Sequence, residues 1–317
     1  MQLSQENVQR VMAQVNQVVL GKSEQVKEIM LAFLANVHVL LEDIPGVGKT
    51  TMALAYSRAM SLEYKRVQFT PDVMPSDLTG FSVYRRKQEE FVYQPGAVFC
   101  NLLLADEINR TSPKTQSALL EVMEERKVTV EGITRNVPSP FLVIATQNPS
   151  GSSGTQYLPE AQVDRFMMSM TLGYPDFDSE LAMAMSIGEK NKLDFIDAVL
   201  DQESLIAMQK EVHNVYISEI VYKYILELIT ATRVHHYLEK GASPRGTIAL
   251  VKMARAAAWV DGRDFVTPDD VKSQFPYVAS HRIVPNVAAR MENIQKEHIM
   301  AEIMKQVRKP PMGEGGR

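Results

Sequence analysis

The feature that most constrains this chain is the segment at residues 43–50, which reads Asp-Ile-Pro-Gly-Val-Gly-Lys-Thr. An apolar run at residues 37–41 precedes it, and a helical pattern at residues 51–55 follows it. A strand, a glycine-containing loop and a helix in that order are typical of a phosphate-binding loop, because the loop N–H groups and the positive end of the helix dipole converge on a polyphosphate. The segment therefore predicts a nucleotide site and argues against a chance turn that contains Gly-Lys-Thr.

The loop offers a consecutive set of candidate nucleotide contacts. They are Pro45, Gly46, Val47, Gly48, Lys49, Thr50 and Thr51. Lys49 supplies a mobile positive charge and is also a candidate catalytic residue, and Thr50 supplies a hydroxyl for Mg²⁺. Asp43 stands where the G-x-x-x-x-G-K-[ST] pattern has its first glycine, so that corner of the loop cannot use the backbone freedom of glycine.

The composition is that of an ordinary soluble globular protein, with 45% hydrophobic and 23% charged residues. The 317 residues are enough for two domains. A formal net charge of −4 gives no overall electrostatic footprint for nucleic acid. One cysteine, Cys100, excludes an intrachain disulfide. We expect no membrane span and a cytoplasmic protein, because there is no apolar run of about 18 residues and no signal-peptide pattern.

Strand and helix patterns alternate up to about residue 173, which predicts an α/β domain on a largely parallel sheet. From residue 177 onward the pattern is nearly all helical. We therefore predict a nucleotide domain at residues 1–175, a helical domain at 176–309 and a disordered tail at 310–317. Two β-hairpins are predicted within the first domain, one around residues 85–87 and one around residues 131–132.

Two carboxylates end a predicted buried strand, where apolar residues 102–105 are followed by Asp106 and Glu107. The carboxyl ends of parallel strands face the ligand crevice. Asp106 is then placed to hold Mg²⁺ with the nucleotide, and Glu107 to orient and polarise an attacking water. Asn148 ends the next buried strand, where its amide can hydrogen-bond the γ-phosphate and the water. On sequence alone, the acidic pair could instead serve solubility, and Asn148 before a proline could be a turn residue.

Two arginines are further candidates for contact with phosphate. Arg165 lies within residues 160–166, and Arg245 lies at the start of a predicted helix of the second domain. A guanidinium is well suited to stabilise the charge of a transferred phosphoryl group. On the sequence alone, either arginine could equally form a surface salt bridge.

Five segments together resemble the AAA+ ATPases and, within them, the MoxR family. They are residues 41–50, 67–80, 104–110, 145–149 and 158–166. The resemblance extends from about residue 18 to residue 278, which is most of the chain. The part at residues 68–80 is the most specific, because AAA+ proteins in general lack it.

The resemblance implies a role for each candidate residue. In chain order, the matches are Gly21 in the segment that contacts adenine, Lys49 and Thr50 in Walker A, Asp106 and Glu107 in Walker B, Asn148 as sensor 1, Arg165 as the arginine finger that serves the neighbouring subunit's nucleotide, and Arg245 as sensor 2 on the lid. The implied catalytic set is Lys49, Glu107, Asn148 and Arg165, and the implied Mg²⁺ ligands are Thr50 and Asp106.

The resemblance also implies a fold and a mode of action. The expected fold is a three-layer α/β/α nucleotide domain with a C-terminal helical lid, and the expected ligands are ATP and Mg²⁺. Members of the family form a ring, commonly a hexamer, often work with a partner that carries a von Willebrand factor A domain, and do chaperone-like work on other proteins. The two hairpins would face the ring pore or a partner. The client protein is not visible in the sequence.

The sequence is also compatible with four different functions. One is a GTPase, because residues 191–194 fit the N-K-x-D pattern and residues 77–80 fit the D-x-x-G pattern, but neither follows a predicted buried strand. The second is a magnesium-chelatase-like subunit. The third is a nucleic-acid-dependent motor of the same superfamily, against which the net charge argues. The fourth is a scaffold that binds ATP without hydrolysing it, against which Glu107 argues.

Overall fold

A computed structural model gives the fold and describes residues 2–44, 46–87, 89–148, 158–185 and 192–311. The predicted contact Pro45 and most of the predicted tail lie outside these residues. The elements up to residue 170 are, in chain order, α1 (Gln2–Val18), α2 (Ser23–Ala35), β1 (Val39–Glu42), α3 (Lys49–Ala59), β2 (Tyr64–Gln68), α4 (Pro75–Thr79), β3 (Phe81–Arg85), β4 (Glu90–Gln94), β5 (Leu102–Asp106), α5 (Pro113–Glu125), β6 (Lys127–Val130), β7 (Ile133–Asn136), β8 (Leu142–Gln147), α6 (Glu160–Val163) and β9 (Met168–Met170).

The remaining elements are mostly helical. They are α7 (Phe177–Met185), α8 (Gln202–His213), α9 (Glu219–Val234), β10 (Leu238–Lys240), α10 (Pro244–Val260), α11 (Pro268–Ala279), β11 (Val284–Pro285), α12 (Val287–Met291) and α13 (Lys296–Gln306). Short 3-10 helices lie at Ile108–Arg110 and Lys192–Phe195.

The central sheet has five strands in the order β2-β5-β8-β1-β9, and each neighbouring pair is parallel. Leu102 and Leu104 of β5 face one core, while Leu103 and Ala105 face the other. Side chains alternate along a strand, so apolar residues at every position of β5 from Leu102 to Ala105 require helices on both faces of the sheet. Helices α1–α3 cover one face, and α5 covers the other. The predicted α/β/α fold is therefore confirmed.

The lid is built around α10, which packs against α2, α8, α9 and α11. Its interior contains the single tryptophan of the chain, Trp259, which is 1% exposed. The antiparallel strands β10 and β11 add a small sheet to the helices. The N-terminal helices also hold the lid, because Gln5 donates to the carbonyl of Trp259 and Gln209 donates to the carbonyl of Phe33. The boundary at residue 175 stays a prediction.

Two antiparallel hairpins project from the nucleotide domain, β3–β4 and β6–β7. The first hairpin exposes an aromatic pair, Tyr84 and Phe91, whose ring centroids are 5.2 Å apart. The hairpins touch, because the hydroxyl of Ser82 donates to the carboxylate of Glu131 at 2.6 Å. A perturbation at one hairpin can therefore reach the other directly.

Among the described residues, no helix is both long and apolar enough to cross a bilayer. The same residues contain no group of three histidine, cysteine or acidic side chains arranged to hold a metal ion. Cys100 is fully buried, and burial raises the pKa of its thiol to about 12. The Cys100 thiol is therefore protonated at neutral pH, and its side chain packs as part of the hydrophobic core.

Candidate active site

The phosphate loop joins β1 to the N-terminus of α3 and is shaped by two glycines. Gly46 has φ +87° and Gly48 has φ +95°, a region that favours glycine. A methyl group built at either position would meet no atom within 4 Å, so the space above the loop is open. Lys49 begins α3 and turns its ammonium back onto the loop, where it donates to the carbonyls of Asp43 at 3.2 Å and Ile44 at 3.0 Å.

Asp43, which replaces the usual first glycine, does not strain the loop. Its φ is not among the positive values of the chain, so the position needs no glycine. The residue is 4% exposed, and its carboxylate faces away from the loop toward the backbone that follows β9. Asp43 therefore differs from the glycine of the pattern in its side-chain contacts, whereas the backbone of the turn has an ordinary conformation at this residue.

The two predicted catalytic carboxylates lie at the carboxyl edge of the sheet, next to β8. Thr146 Oγ1 donates to Asp106 Oδ1 at 2.7 Å and accepts from the backbone N–H of Glu107 at 2.8 Å. Glu107 has φ +56° and starts the 3-10 helix that follows β5. Such a conformation is costly for a residue with a side chain. The bonds to Thr146 therefore fix both residues against one strand.

Side chains of nearby segments bond to one further oxygen of each carboxylate, Asp106 Oδ2 and Glu107 Oε2. Arg66 Nη2 donates to Asp106 Oδ2 at 2.7 Å. Gln68 Nε2 and Arg110 Nη1 both donate to Glu107 Oε2, at 2.9 Å and 2.7 Å. The side-chain oxygen of Gln68 also accepts a hydrogen bond from Arg66, so the two donors, which both lie on β2, are bonded to each other. Glu107 Oε2 is thus held by two donors of its own chain.

A cavity of about 390 Å³ lies between the loop and the carboxylates. Its lining is Gly46, Gly48, Lys49, Thr50, Thr51, Arg66, Gln68, Asp106 and Glu107. The donor set fits a magnesium–polyphosphate, because Thr50 and Asp106 offer oxygen ligands and Lys49 with the N-terminus of α3 offers positive potential. Val47 is partly buried and packs on the core under the loop.

Asn148 and Gly21 lie at the margins of this site. Asn148 directly follows β8, at the same edge as Asp106, although it is not part of the cavity lining. Gly21 has φ +69°, and a side chain there would overlap Ser179 and Asp176 at the start of α7. The segment predicted to contact adenine therefore packs on the connection between the two domains.

The two candidate arginines share one carboxylate outside this cavity. Arg165 Nη1 lies 2.6 Å from Glu124 Oε2, and Arg245 Nη2 lies 2.6 Å from Glu124 Oε1. Within the described part of the chain, neither arginine lines the phosphate cavity. Both line a second cavity of about 310 Å³ between α5 and α10. The lid arginine thus lies with Arg165 and away from the phosphate loop of its own chain.

Strand direction explains why Arg165 is remote from the phosphate loop. Val39 of β1 is level with Met168 of β9, and the two strands are parallel. The loop begins four residues beyond Val39, which is roughly 13 Å further along the sheet at about 3.3 Å per residue. Arg165 precedes β9 and therefore lies at the opposite, amino edge of the sheet.

A buried ion pair anchors the arginine segment to the lid. Arg282, whose side chain is 1% exposed, donates to Asp164 at 2.9 Å and to the carbonyl of Phe166 at 2.7 Å. Ser243, the N-cap of α10, also donates to Asp164. Burial, together with the charge of Arg282, lowers the pKa of His281 well below its usual range. The contacts of Asp164 with Arg282 and Ser243 thus join the segment of Arg165 to the lid. They place Arg165 and Arg245 at the boundary between the nucleotide domain and the lid.

The two GTPase-like patterns do not meet at the phosphate cavity. Residues 77–80 belong to α4 and its C-terminus and do not come directly after a strand of the central sheet. Asn191 lies outside the described residues, and Asp194 pairs with Arg58 at 3.0 Å. A base-specific site of the GTPase kind therefore has no support in this arrangement.

Comparison with known proteins identifies both parts of the chain. Residues 38–168 match the ATPase family associated with various cellular activities (AAA), and residues 230–303 match the AAA lid domain. The chain is 48% identical to the uncharacterized protein YeaC of Bacillus subtilis over 93% of this chain and 92% of that protein. It is 37% identical to chaperone MoxR1 of Mycobacterium tuberculosis, over 96% of this chain and 82% of that protein.

Solved structures agree with these matches. A crystal structure of a protein from Cytophaga hutchinsonii has a TM-score of 0.91 and 37% identity, and the match covers 97% of this chain and 96% of that one. A full-length MCM homologue from Methanopyrus kandleri has a TM-score of 0.62 at 18% identity, with 89% of this chain and 61% of that one covered. The second likeness concerns the fold alone.

Four residues of the site were absent from the sequence predictions: Arg66, Gln68, Arg110 and Glu124. A signal existed for Gln68, because it ends β2 and the carboxyl ends of parallel strands share one edge. For Glu124 no local pattern was available, since it lies 121 residues from Arg245 in the chain.

Proposed function

The chain belongs to the MoxR family of AAA+ ATPases, and we propose that it hydrolyses Mg-ATP in a ring of identical subunits and remodels partner proteins. One observation carries the proposal: the phosphate loop and the two carboxylates line one cavity, whereas both candidate arginines are collected elsewhere, on Glu124. A site with this arrangement is completed by a second subunit.

In the proposed reaction, Lys49 leaves the loop carbonyls and donates to the phosphates, for which the open space above Gly46 and Gly48 leaves room. Thr50 and Asp106 would hold Mg²⁺, which would supply positive charge to neutralise the phosphates. Asp106 would first release Arg66 from Oδ2, and Glu107, whose Oε2 accepts from Gln68 and Arg110, would orient and polarise the water. Asn148 stays our predicted contact for the γ-phosphate.

Both arginines are proposed to act on the nucleotide of the neighbouring subunit. Arg165 is held at the amino edge of the sheet by the Asp164–Arg282 junction, and Arg245 is held by the same carboxylate as Arg165. Assembly would exchange Glu124 for the phosphates of the adjacent site, where a guanidinium stabilises transferred charge. Placing Arg245 in this pair refines the expectation from sequence, which named it only as a nucleotide contact on the lid.

The proposed output is mechanical work on a client protein in the cytoplasm. One relative supports this part by its name, chaperone MoxR1 of Mycobacterium tuberculosis. The exposed aromatic pair on the β3–β4 hairpin is suited to contact an unfolded or flexible partner. A hexamer and a partner with a von Willebrand factor A domain are the remaining elements of the proposal.

The test is ATP turnover per subunit against protein concentration, for the natural protein and for Arg165→Ala. We expect turnover to rise with concentration as rings form, and Arg165→Ala to lose most of it, by at least about 100-fold, a conservative figure for an arginine finger. Arg290→Ala is the matched control, because it removes an exposed arginine of the lid that is 3.8 Å from Glu239. Turnover that is independent of concentration and unchanged in Arg165→Ala would contradict the shared site.

A further inference from the structure

Asp43 joins the phosphate loop to the chain segment that leads into the lid. Its Oδ1 accepts the backbone N–H of Gly173 at 3.1 Å, and its Oδ2 accepts the backbone N–H of Leu172. Its own backbone N–H donates to the carbonyl of Gln147 at 3.1 Å, the last residue of β8. One residue therefore connects the loop, the strand that precedes Asn148, and the segment after β9.

The segment that Asp43 holds, residues 171–176, is the connector between β9 and α7. Leu172 is 1% exposed and belongs to the core that runs from the nucleotide domain into the lid. Lys22, itself 5% exposed, donates to the carbonyl of Tyr174. The connector is thus fixed at one point by the phosphate loop and at another by the residue after Gly21.

Lys49 bonds to the same residue that holds the connector. Its ammonium donates to the carbonyl of Asp43, while the Asp43 carboxylate is bound to the connector. A polyphosphate at the loop competes for that ammonium, because phosphate oxygens are stronger acceptors than a neutral carbonyl. A polyphosphate bound at the loop therefore removes the bond from Lys49 to the Asp43 carbonyl, while the Asp43 carboxylate keeps its bonds to the connector.

We propose that Asp43 is a positioning residue that transmits occupancy of the phosphate loop to residues 171–176 and so sets the position of the lid and its arginine for hydrolysis. The inference rests on the proposed function. The proposal explains why aspartate stands where the pattern has glycine. The carboxylate accepts two hydrogen bonds from the connector, and glycine has no side chain that could accept them. The required acceptor is a short side chain with two oxygens, since both N–H groups come from adjacent residues.

The first test separates kcat from KM in Asp43→Ala and Asp43→Asn. We expect kcat of Asp43→Ala to fall by on the order of ten-fold or more, because catalytic groups are misplaced, with KM for ATP within about three-fold of the natural value. Asp43→Asn keeps one oxygen acceptor and is expected to fold and to lose less. The matched control is Asp270→Asn in the lid, where a carboxylate that is 5% exposed accepts the backbone N–H of Thr267 at 2.7 Å.

The second test measures hydrogen exchange in the peptide that covers residues 168–176, with and without ATP, in a Glu107→Gln background. ATP should slow exchange there when Asp43 is present and have no effect in Asp43→Ala. The inference is wrong if the Asp43 variants behave like the Asp270→Asn control. In that case all three variants are less stable, but their kcat and the effect of ATP on hydrogen exchange are those of the natural protein. If the natural protein hydrolyses no ATP but shows the Asp43-dependent protection, the coupling of the phosphate loop to residues 171–176 stands and the proposed hydrolysis fails.

Discussion

The stability of this protein is expected to depend on one buried carboxyl, Glu28 of α2. The residue is 6% exposed, and Gln274 of the lid helix α11 donates to its Oε1 at 3.3 Å. Among the described residues, Glu28 Oε2 and Gln274 Oε1 have no hydrogen-bond partner. A protonated Glu28 could donate to Gln274 and complete a two-way pair, which explains why both atoms are otherwise unsatisfied.

Burial is the main reason that the pKa of Glu28 is raised from 4.5 to about 7. The bond from Gln274 and the charge of Lys27 lower the pKa, and Glu24 raises it. Tyr56 of α3 and Tyr277 of α11 also interact electrostatically with Glu28, and burial is the main reason that the pKa values of both tyrosines are raised. Glu28 is consequently mostly neutral in the folded protein below pH 7.

Because the folded-state pKa is above the unfolded one, the stability that Glu28 contributes is fully present below pH 4.5 and is lost as pH rises to about 7. The interval between the two values corresponds to about 3 kcal/mol, since one pKa unit is worth about 1.4 kcal/mol. In Glu28→Gln an amide replaces the carboxyl, and it can pair with Gln274 at any pH. The variant should therefore gain about 2 to 3 kcal/mol relative to the natural protein between pH 5 and pH 8.

The assay is urea unfolding at pH 5 and pH 8, followed by the fluorescence of Trp259, the single tryptophan, which lies in the lid core. The comparison of two proteins cancels the titration of all other groups, including the buried His38 and His281, whose pKa values are lowered by burial. If the two proteins change stability in parallel between pH 5 and pH 8, Glu28 is charged in the folded state and the reasoning fails.

Two further predictions concern the site and its junction. Arg66→Ala frees Asp106 from an exposed ion pair, so the Mg²⁺ concentration for half-maximal turnover should fall by about two- to five-fold in a magnesium titration; an unchanged midpoint would mean that Arg66 does not compete with the metal. Asp164→Ala leaves Arg282 buried without its carboxylate and should cost about 3 to 5 kcal/mol in urea unfolding. The exposed pair removed by Asp269→Ala should cost less than about 1 kcal/mol, and equal losses would refute the distinction.

The loop and the carboxylate pair could be predicted from the sequence because each is encoded by contiguous residues. Lys49 and Thr50 start the helix after a strand, and Asp106 ends another strand, so chain order and parallel pairing place them together. The alternation of strand and helix patterns also predicted an α/β domain on a largely parallel sheet. These features need local pattern and the rules of parallel sheets, and little else.

The partners of those residues could not be predicted, because they depend on packing between distant segments. Gln68 meets Glu107 across 39 positions of the chain, and Arg245 meets Glu124 across 121. The role of Asp43 is a similar case: the pattern shows a missing glycine, while its acceptor role toward residues 172–173 depends on how β9 leaves the sheet. Long-range contacts of this kind carry no period or motif.

The central claim is that each active site combines the carboxylates of one subunit with the arginine of the next. The most direct measurement mixes two inactive variants, Glu107→Gln and Arg165→Ala, in equal amounts and records ATP turnover. In random rings about a quarter of the interfaces would pair an intact Glu107 site with an intact Arg165, so turnover should return to a comparable fraction of the natural value. A mixture no more active than the sum of its parts, under conditions in which subunits exchange, would contradict the shared site.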